Sequence, residues 1–223
     1  MSAAAEALNS IFFGFDSFIL TALHALACPF MTFLCKLITL IGEKGIVFFA
    51  AAIVLMLFKR TRKLGVCLFG AVACGALITN IILKDAIARP RPFETVELFR
   101  QYWMDIGAPA EDDFSFPSGH ATAAAAGMLA IRLVQGKKWT VPAIVWVLLT
   151  MISRNYLMAH YPSDVLAGVI IGCASAVIAF LITKAIFSFL EKQRGHHLAD
   201  LILEFDLPLP PVGRSSYKGK HER

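Results

Sequence analysis

In "SRNYLMAHYPSD", residues 153–164, His160 stands four residues before Asp164, with Pro162 fixing the chain between them and Ser153–Arg154 just upstream. A carboxylate that accepts from one imidazole nitrogen leaves the other free as a nucleophile. This is the orienting logic of a triad's aspartate, transferred to attack on phosphorus. In "FPSGH", residues 116–120, Pro117 and Ser118 read as a helix start, which leaves backbone N–H groups near Gly119 and His120 free. Such an N-terminus, with glycine allowing close approach, is a natural phosphate cradle, and the Ser118 hydroxyl can donate one more bond. His120, on a different helix, would protonate a leaving oxygen and later activate water. A third cluster, "KDAIARPRP", carries Lys84 and, seven residues on, Arg91–Pro92.

Taken together, Lys84, Arg91, Arg154 and two histidines, with no local carboxylate pair, make a site for a multiply charged anion. Arginine's planar fork matches phosphate oxygens bidentately, and lysine supplies a point charge. Phosphoryl transfer asks chiefly for positioning and charge neutralisation, which these cations supply without a metal. A metal centre fits less well. His120, His160 and Asp164 are possible ligands, but no H-x-x-x-H or H-E-x-x-H spacing occurs and three cations would repel the ion. Any one of these residues alone has an ordinary structural explanation. Six of them at one membrane face are expensive if idle.

The elements that must bring them together are apolar. The 223 residues are 57% hydrophobic and 17% charged, with mean hydropathy +0.67. A soluble domain of this length cannot hide so much apolar surface. Residues 64–83 and 165–183 carry no formal charge, and each run is long enough to cross a hydrocarbon core of about 30 Å as a helix. Six apolar segments, roughly 17–41, 45–58, 64–84, 119–136, 138–153 and 163–188, predict an all-α polytopic membrane bundle of six transmembrane helices. Glycines 65, 70 and 75 suggest a closely packed face on the third.

Residues 1–16 lack the basic start and cleavage site of a secretory signal and read as an interfacial lead-in. Residues 17–190 form the membrane domain, and 191–223 a mixed polar tail. The five cysteines lie in apolar segments without a C-x-x-C pair and read as buried thiols. Net charge +5 comes from short loops, with no basic stripe for nucleic acid.

That charge orients the chain instead. "KRTRK", residues 59–63, and the Arg132, Lys137, Lys138 group mark two connections as cytoplasmic. An even number of crossings then puts both termini in the cytoplasm, in agreement with Lys192, Arg194, Lys218, Lys220 and Arg223 in the tail. All three polar clusters fall on the extracytoplasmic side.

At these clusters the sequence resembles the type 2 phosphatidic acid phosphatase (PAP2) family, whose signature is K-x6-R-P, P-S-G-H and S-R-x5-H-x3-D. Every signature position is present: Lys84, Arg91 and Pro92; residues 117–120; and Ser153, Arg154, His160 and Asp164. The resemblance implies a six-helix membrane phosphatase without a metal or other cofactor. It implies His160 as the nucleophile of a phosphohistidine, Asp164 as its orienting partner and His120 as general acid. Lys84, Arg91, Ser118, Gly119 and Arg154 would hold the phosphate. The motifs span residues 84–164, and the helix pattern extends the likeness to about residue 188.

Family substrates include phosphatidic acid, diacylglycerol pyrophosphate, phosphatidylglycerol phosphate, isoprenoid pyrophosphates, sphingolipid phosphates and glucose 6-phosphate. A small chain with an outward-facing site resembles bacterial members in the plasma (inner) membrane and suits undecaprenyl pyrophosphate. Phosphatidylglycerol phosphate and phosphatidic acid are the competitors. A phosphotransferase would use the same intermediate with an alcohol in place of water. Vanadium haloperoxidases share the site but are soluble and larger. The partners implied are a lipid phosphate and the bilayer; the sequence carries no signal for oligomeric state. The aromatic run Leu98, Phe99, Tyr102, Trp103 and Met104 suggests either a lipid entrance or interfacial anchoring.

Overall fold

The computed structural model describes residues 2–208, and regular structure among them is helical throughout. The expectations for Lys218, Lys220 and Arg223 lie outside the described residues.

Helix α1 (Ala3–His24) starts at Ser2, whose hydroxyl accepts from the Ala5 N–H at 3.1 Å. Proline has no N–H and is tolerated only in a first helical turn. Pro29 therefore opens a new helix, α2 (Pro29–Ile41). The segment expected over 17–41 is thus two helices, and the expected boundary after residue 16 falls inside α1. A tight turn, Glu43–Gly45, leads into α3 (Ile46–Met56), with Gly45 at φ +74°.

Helix α4 (Arg62–Ala76) passes through a π-type stretch, Leu77–Leu83, into α5 (Lys84–Ile87). Two short helices follow, α6 (Pro92–Thr95) and α7 (Glu97–Asp105). Then come α8 (Gly119–Gln135), α9 (Thr140–Tyr156), α10 (Pro162–Lys192) and α11 (His197–Glu204).

The core is α8 laid against α10 and α4. Small residues set the distance. A Cβ on Gly172 would sit 2.4 Å from the Thr122 carbonyl oxygen, and one on Gly168 2.6 Å from that of Ser118. Backbones this close fix the heights of α8 and α10 relative to each other. The outer faces of the bundle carry exposed Phe69, Ile81, Val141, Ile170, Leu181 and Phe189, surface that suits lipid rather than water. Three stretches, α1, Arg62–Thr95 and α10, are long and apolar enough to cross a membrane, or four if α2 and α3, bent by 41°, count as one.

The end of the bundle that holds Lys84, His120 and His160 also holds the whole of α1. Ser2 bonds the Ile87 carbonyl, Asp16 bonds Ser163, and His24 stacks on Tyr102 at 3.7 Å between ring centroids. Helix α2 reaches the same end, through Thr32 to Tyr156 and Thr39 to Ser153, both at 2.7 Å. At the opposite end, the Leu207 N–H donates to the Leu57 carbonyl at 3.1 Å, and buried Arg62 donates to the Ile202 carbonyl at 2.6 Å. Ser2 and Leu207 therefore lie at opposite ends of the bundle. This departs from the expectation of both termini on one side. The reason is that α1 packs along the site end instead of running down the bundle.

Candidate active site

Three structural corners meet at one end of the bundle. The first is the N-terminus of α8, where Ser118 is the capping residue and its hydroxyl accepts from Ala121 N–H. The Ser118 N–H donates to the Asp164 carbonyl at 3.1 Å, so the starts of α8 and α10 are joined directly. The second is the end of the π-type stretch, which delivers Lys84; a change of helical winding here is typical of functional sites. The third is the tight α9–α10 connection, residues 157–161, turned by Met158 at φ +55°. It holds His160 buried.

A cavity of about 220 Å³ is lined by Lys84, Arg91, Gly119, His120 and His160, with Glu111 and Asp113 from the preceding loop. Arg154 reaches this group through its ion pair with Glu111. Ser118 and Asp164 are fully buried and hold the helix starts from behind. Ser153 bonds the Cys35 carbonyl at 2.8 Å and Thr39, which is a packing role.

The sequence gives these cations no local carboxylate pair, but the fold brings one to them. Asp113 pairs with both Lys84 and Arg91. Glu111 pairs with Arg154 and stands 3.3 Å from Arg91. Glu43 Oε2 lies 3.5 Å from His120 Nε2. These acids come from loops with no fixed spacing to the motifs, so only their three-dimensional placement identifies them. Among the described residues, Arg154 Nε and Nη1 are buried and donate to no protein acceptor. A buried guanidinium with open donors is costly unless an anion completes it.

The electrostatics follow from these contacts. Burial acts to raise the Glu111 carboxyl, but Arg154 and Arg91 outweigh it and hold the group below the usual carboxylate range. Asp113 is likewise held low, by Lys84 and Arg91 against the effect of burial. For His160 burial and the surrounding cations act together, with burial the larger cause. Its imidazole is held well below its ordinary value and stays neutral.

His160 Nδ1 lies 2.6 Å from the Ser115 carbonyl oxygen. A carbonyl only accepts, so Nδ1 carries the proton and Nε2 is left as the basic nitrogen. Asp164, expected to make this bond, is 4.0 Å from Nδ1. Its Oδ2 instead accepts the Tyr161 N–H at 2.9 Å, and its Oδ1 accepts from Arg89 at 2.5 Å. The aromatic run is also more embedded than expected. Phe99 is buried with Leu20, Met158 and Tyr161, and Trp103 stacks on Phe93 and donates to the Pro109 carbonyl. Leu98 and Met104 are left exposed.

A sequence model of the PAP2 superfamily matches residues 64–188. The chain is 34% identical over 118 residues to an undecaprenyl-diphosphatase of Sulfolobus acidocaldarius, covering 53% of this chain and 54% of that protein. It therefore spans about half the length of that relative. It is 32% identical to phosphatidylglycerophosphatase B of Haemophilus influenzae, covering 61% of this chain and 71% of the other. Its fold matches the crystal structure of a transmembrane PAP2 type phosphatidylglycerolphosphate phosphatase from Bacillus subtilis with a TM-score of 0.59 and 27% identity. That match covers 85% of this chain and 91% of the other.

Proposed function

The chain belongs to the PAP2 superfamily, and on that premise we propose that it is a membrane lipid phosphatase acting through a phosphohistidine. Its substrate would be a phosphomonoester or pyrophosphate of a membrane lipid. The observation that carries this is the cavity itself, in which two histidines and two cations surround a pair of acidic side chains. A phosphate group has the charge and the acceptor oxygens to take the place of those acids.

In the proposed reaction His160 Nε2 forms a bond to phosphorus while the bond to the leaving oxygen breaks. His120 gives that oxygen a proton. His120 then takes a proton from water as the water oxygen attacks phosphorus, and the P–N bond breaks to release phosphate. Lys84, Arg91 and Arg154, with the N–H groups at Gly119 and His120, hold the equatorial oxygens. Ser118 and Asp164 fix the two helix starts that carry these groups.

The basic connections at residues 59–63 and 132–138 support a site on the extracytoplasmic side. With the site outside, undecaprenyl pyrophosphate is the substrate we favour, and phosphatidylglycerol phosphate is the alternative. An undecaprenyl-diphosphatase and a phosphatidylglycerophosphatase B among the similar proteins support the choice of these two candidates. The test is phosphate release from these two lipids and phosphatidic acid in detergent with excess chelator, for wild type and His160→Ala. Chelator-resistant release that disappears in the variant supports the reading, and the rate order selects the substrate. Release that survives the substitution, or that needs added metal, refutes it.

A further inference from the structure

Helix α1 presents an apolar run, "IFFGFDSF", interrupted by one acid, Asp16. Neighbouring Phe12, Phe13, Phe15 and Phe18 are exposed, whereas Asp16 is fully buried. A charge in such a helix is retained only with partners. Its partners belong to the site end. Asp16 Oδ1 accepts the Ser163 N–H at 2.8 Å, and Oδ2 accepts the Ser163 hydroxyl at 2.7 Å and Arg89 Nη2 at 2.9 Å. The carboxylate thus takes up an N–H of the first turn of α10 that no intrahelical acceptor can satisfy.

Arg89, also fully buried, completes the group. It lies two residues before Arg91 in "RPRP". Its Nη1 donates to Asp164 Oδ1 at 2.5 Å and to Ser163 Oγ at 2.8 Å, and its Nε donates to Asn9 Oδ1 at 2.9 Å. The guanidinium carbon lies 3.9 Å from the centroid of the Tyr161 ring. Asp16, Arg89, Ser163 and Asp164 therefore form one closed network. It grips the chain immediately after His160 from both sides.

We infer that Asp16 and Arg89 are positioning residues for catalysis, acting through Asp164 and the α10 start to hold His160 in line with the phosphate. Helix α1 is then part of the catalytic apparatus and not only an anchor. The inference rests on His160 being the nucleophile proposed above. The Ser115 carbonyl fixes the ring from one side, but it cannot fix the height of the loop that carries the ring. The Asp16–Arg89 pair does this, because it ties residues 161–164 to a helix that neither binds phosphate nor lines the cavity.

The test is Asp16→Asn, which keeps size and shape, and Arg89→Lys, which keeps charge but cannot fork between two carboxylates. A displacement of about 1 Å at a reacting group can cost ~100-fold in rate. The expected result is a kcat lowered by about 10- to 100-fold, with KM within about threefold and the thermal midpoint in detergent little changed. In an Asp164→Asn background, Asp16→Asn should add less than about threefold, since its route of action is already cut. A merely structural role would lower the folded fraction and multiply the loss equally in both backgrounds. If Asp16→Asn does not fold, Ser163→Ala removes only the bridging hydroxyl and carries the same readout. Should His160→Ala abolish activity while Asp16→Asn leaves kcat within twofold, this inference falls and the proposed function stands. Should His160→Ala remain active, the functional reading itself falls.

Discussion

His160 donates through Nδ1 to the Ser115 carbonyl at 2.6 Å, while the nearest Asp164 oxygen stands 4.0 Å away. The backbone of the loop entering α8, not a carboxylate, selects the imidazole tautomer. Where an aspartate makes that bond itself, replacing it with asparagine costs roughly 10⁴-fold in kcat through the wrong tautomer. Asp164→Asn should therefore be milder here, a loss of about 10- to 100-fold. A trapped phosphoenzyme should still form, because Ser115 continues to hold Nδ1. Single-turnover kinetics with radiolabelled substrate measures this; a loss near that of His160→Ala would show that Asp164 acts on the ring directly.

Glu111 and Asp113 stand among the cations that a phosphate must bind. An incoming anion has to displace them. Replacing both with amides, Glu111→Gln with Asp113→Asn, should tighten inhibition by orthovanadate or inorganic phosphate by about 10-fold, equivalent to about 1.4 kcal/mol. The substrate KM should fall in the same direction. Unchanged inhibition constants would mean that the acids leave the cavity at no cost.

Burial and the neighbouring cations hold the His160 imidazole well below its ordinary value. The sign for stability follows from proton binding. Below about pH 6.5 the unfolded chain protonates this residue and the folded chain does not, so stability is lost as pH falls through that range. His160→Asn should flatten the decline of the thermal midpoint between about pH 6.5 and pH 5. For activity, kcat/KM should show no acid limb near pH 6.5 once the substrate's own ionisation near about pH 6 is allowed for. An acid limb at the ordinary histidine value would place a solvated imidazole at this position.

What could be read from the chain and what could not divide along physical lines. Lys84, Arg91, His120, Arg154, His160 and Asp164 stand at fixed spacings, because each motif is one helix end or one turn, and local geometry sets those spacings. Asp16, Arg89, Glu111, Asp113 and Ser115 act across 20 to 147 residues of sequence, where no periodicity connects the partners. The apolar segments of α4, α8, α9 and α10 were legible for the same reason as the motifs. The first segment was not, because hydropathy cannot tell a helix that crosses a membrane from one packed along its face. Only Pro29, which a helix interior does not tolerate, marked the break within it.

The opposite placement of Ser2 and Leu207 has a topological consequence. If the site faces outward, the N-terminus lies outside with it and the C-terminal helix lies in the cytoplasm. A single cysteine at Ser2, in a background with the native cysteines replaced, should react with a membrane-impermeant maleimide added to intact cells. A cysteine at Gln193 should react only after the membrane is opened. Labelling of both positions, or neither, in intact cells would contradict the arrangement.

The close crossing of α8 and α10 supplies a last prediction, because each helix delivers one histidine region to the site. A methyl at Gly168 would meet the Ser118 carbonyl at 2.6 Å, beside the cap that starts α8. That oxygen is backbone and cannot swing aside, so the helices must separate. Overpacking of this kind costs about 1–3 kcal/mol. Separation also moves His120 away from His160, so Gly168→Ala should reduce kcat more than its loss of thermal stability accounts for. Gly70→Ala, whose methyl would meet Ala179 Cβ at an ordinary 3.4 Å, should be neutral or slightly stabilising through higher helix propensity. Thermal midpoints and kcat for the two variants in the same detergent decide the matter: equal behaviour would mean that the α8–α10 distance does not set the geometry of the histidine pair.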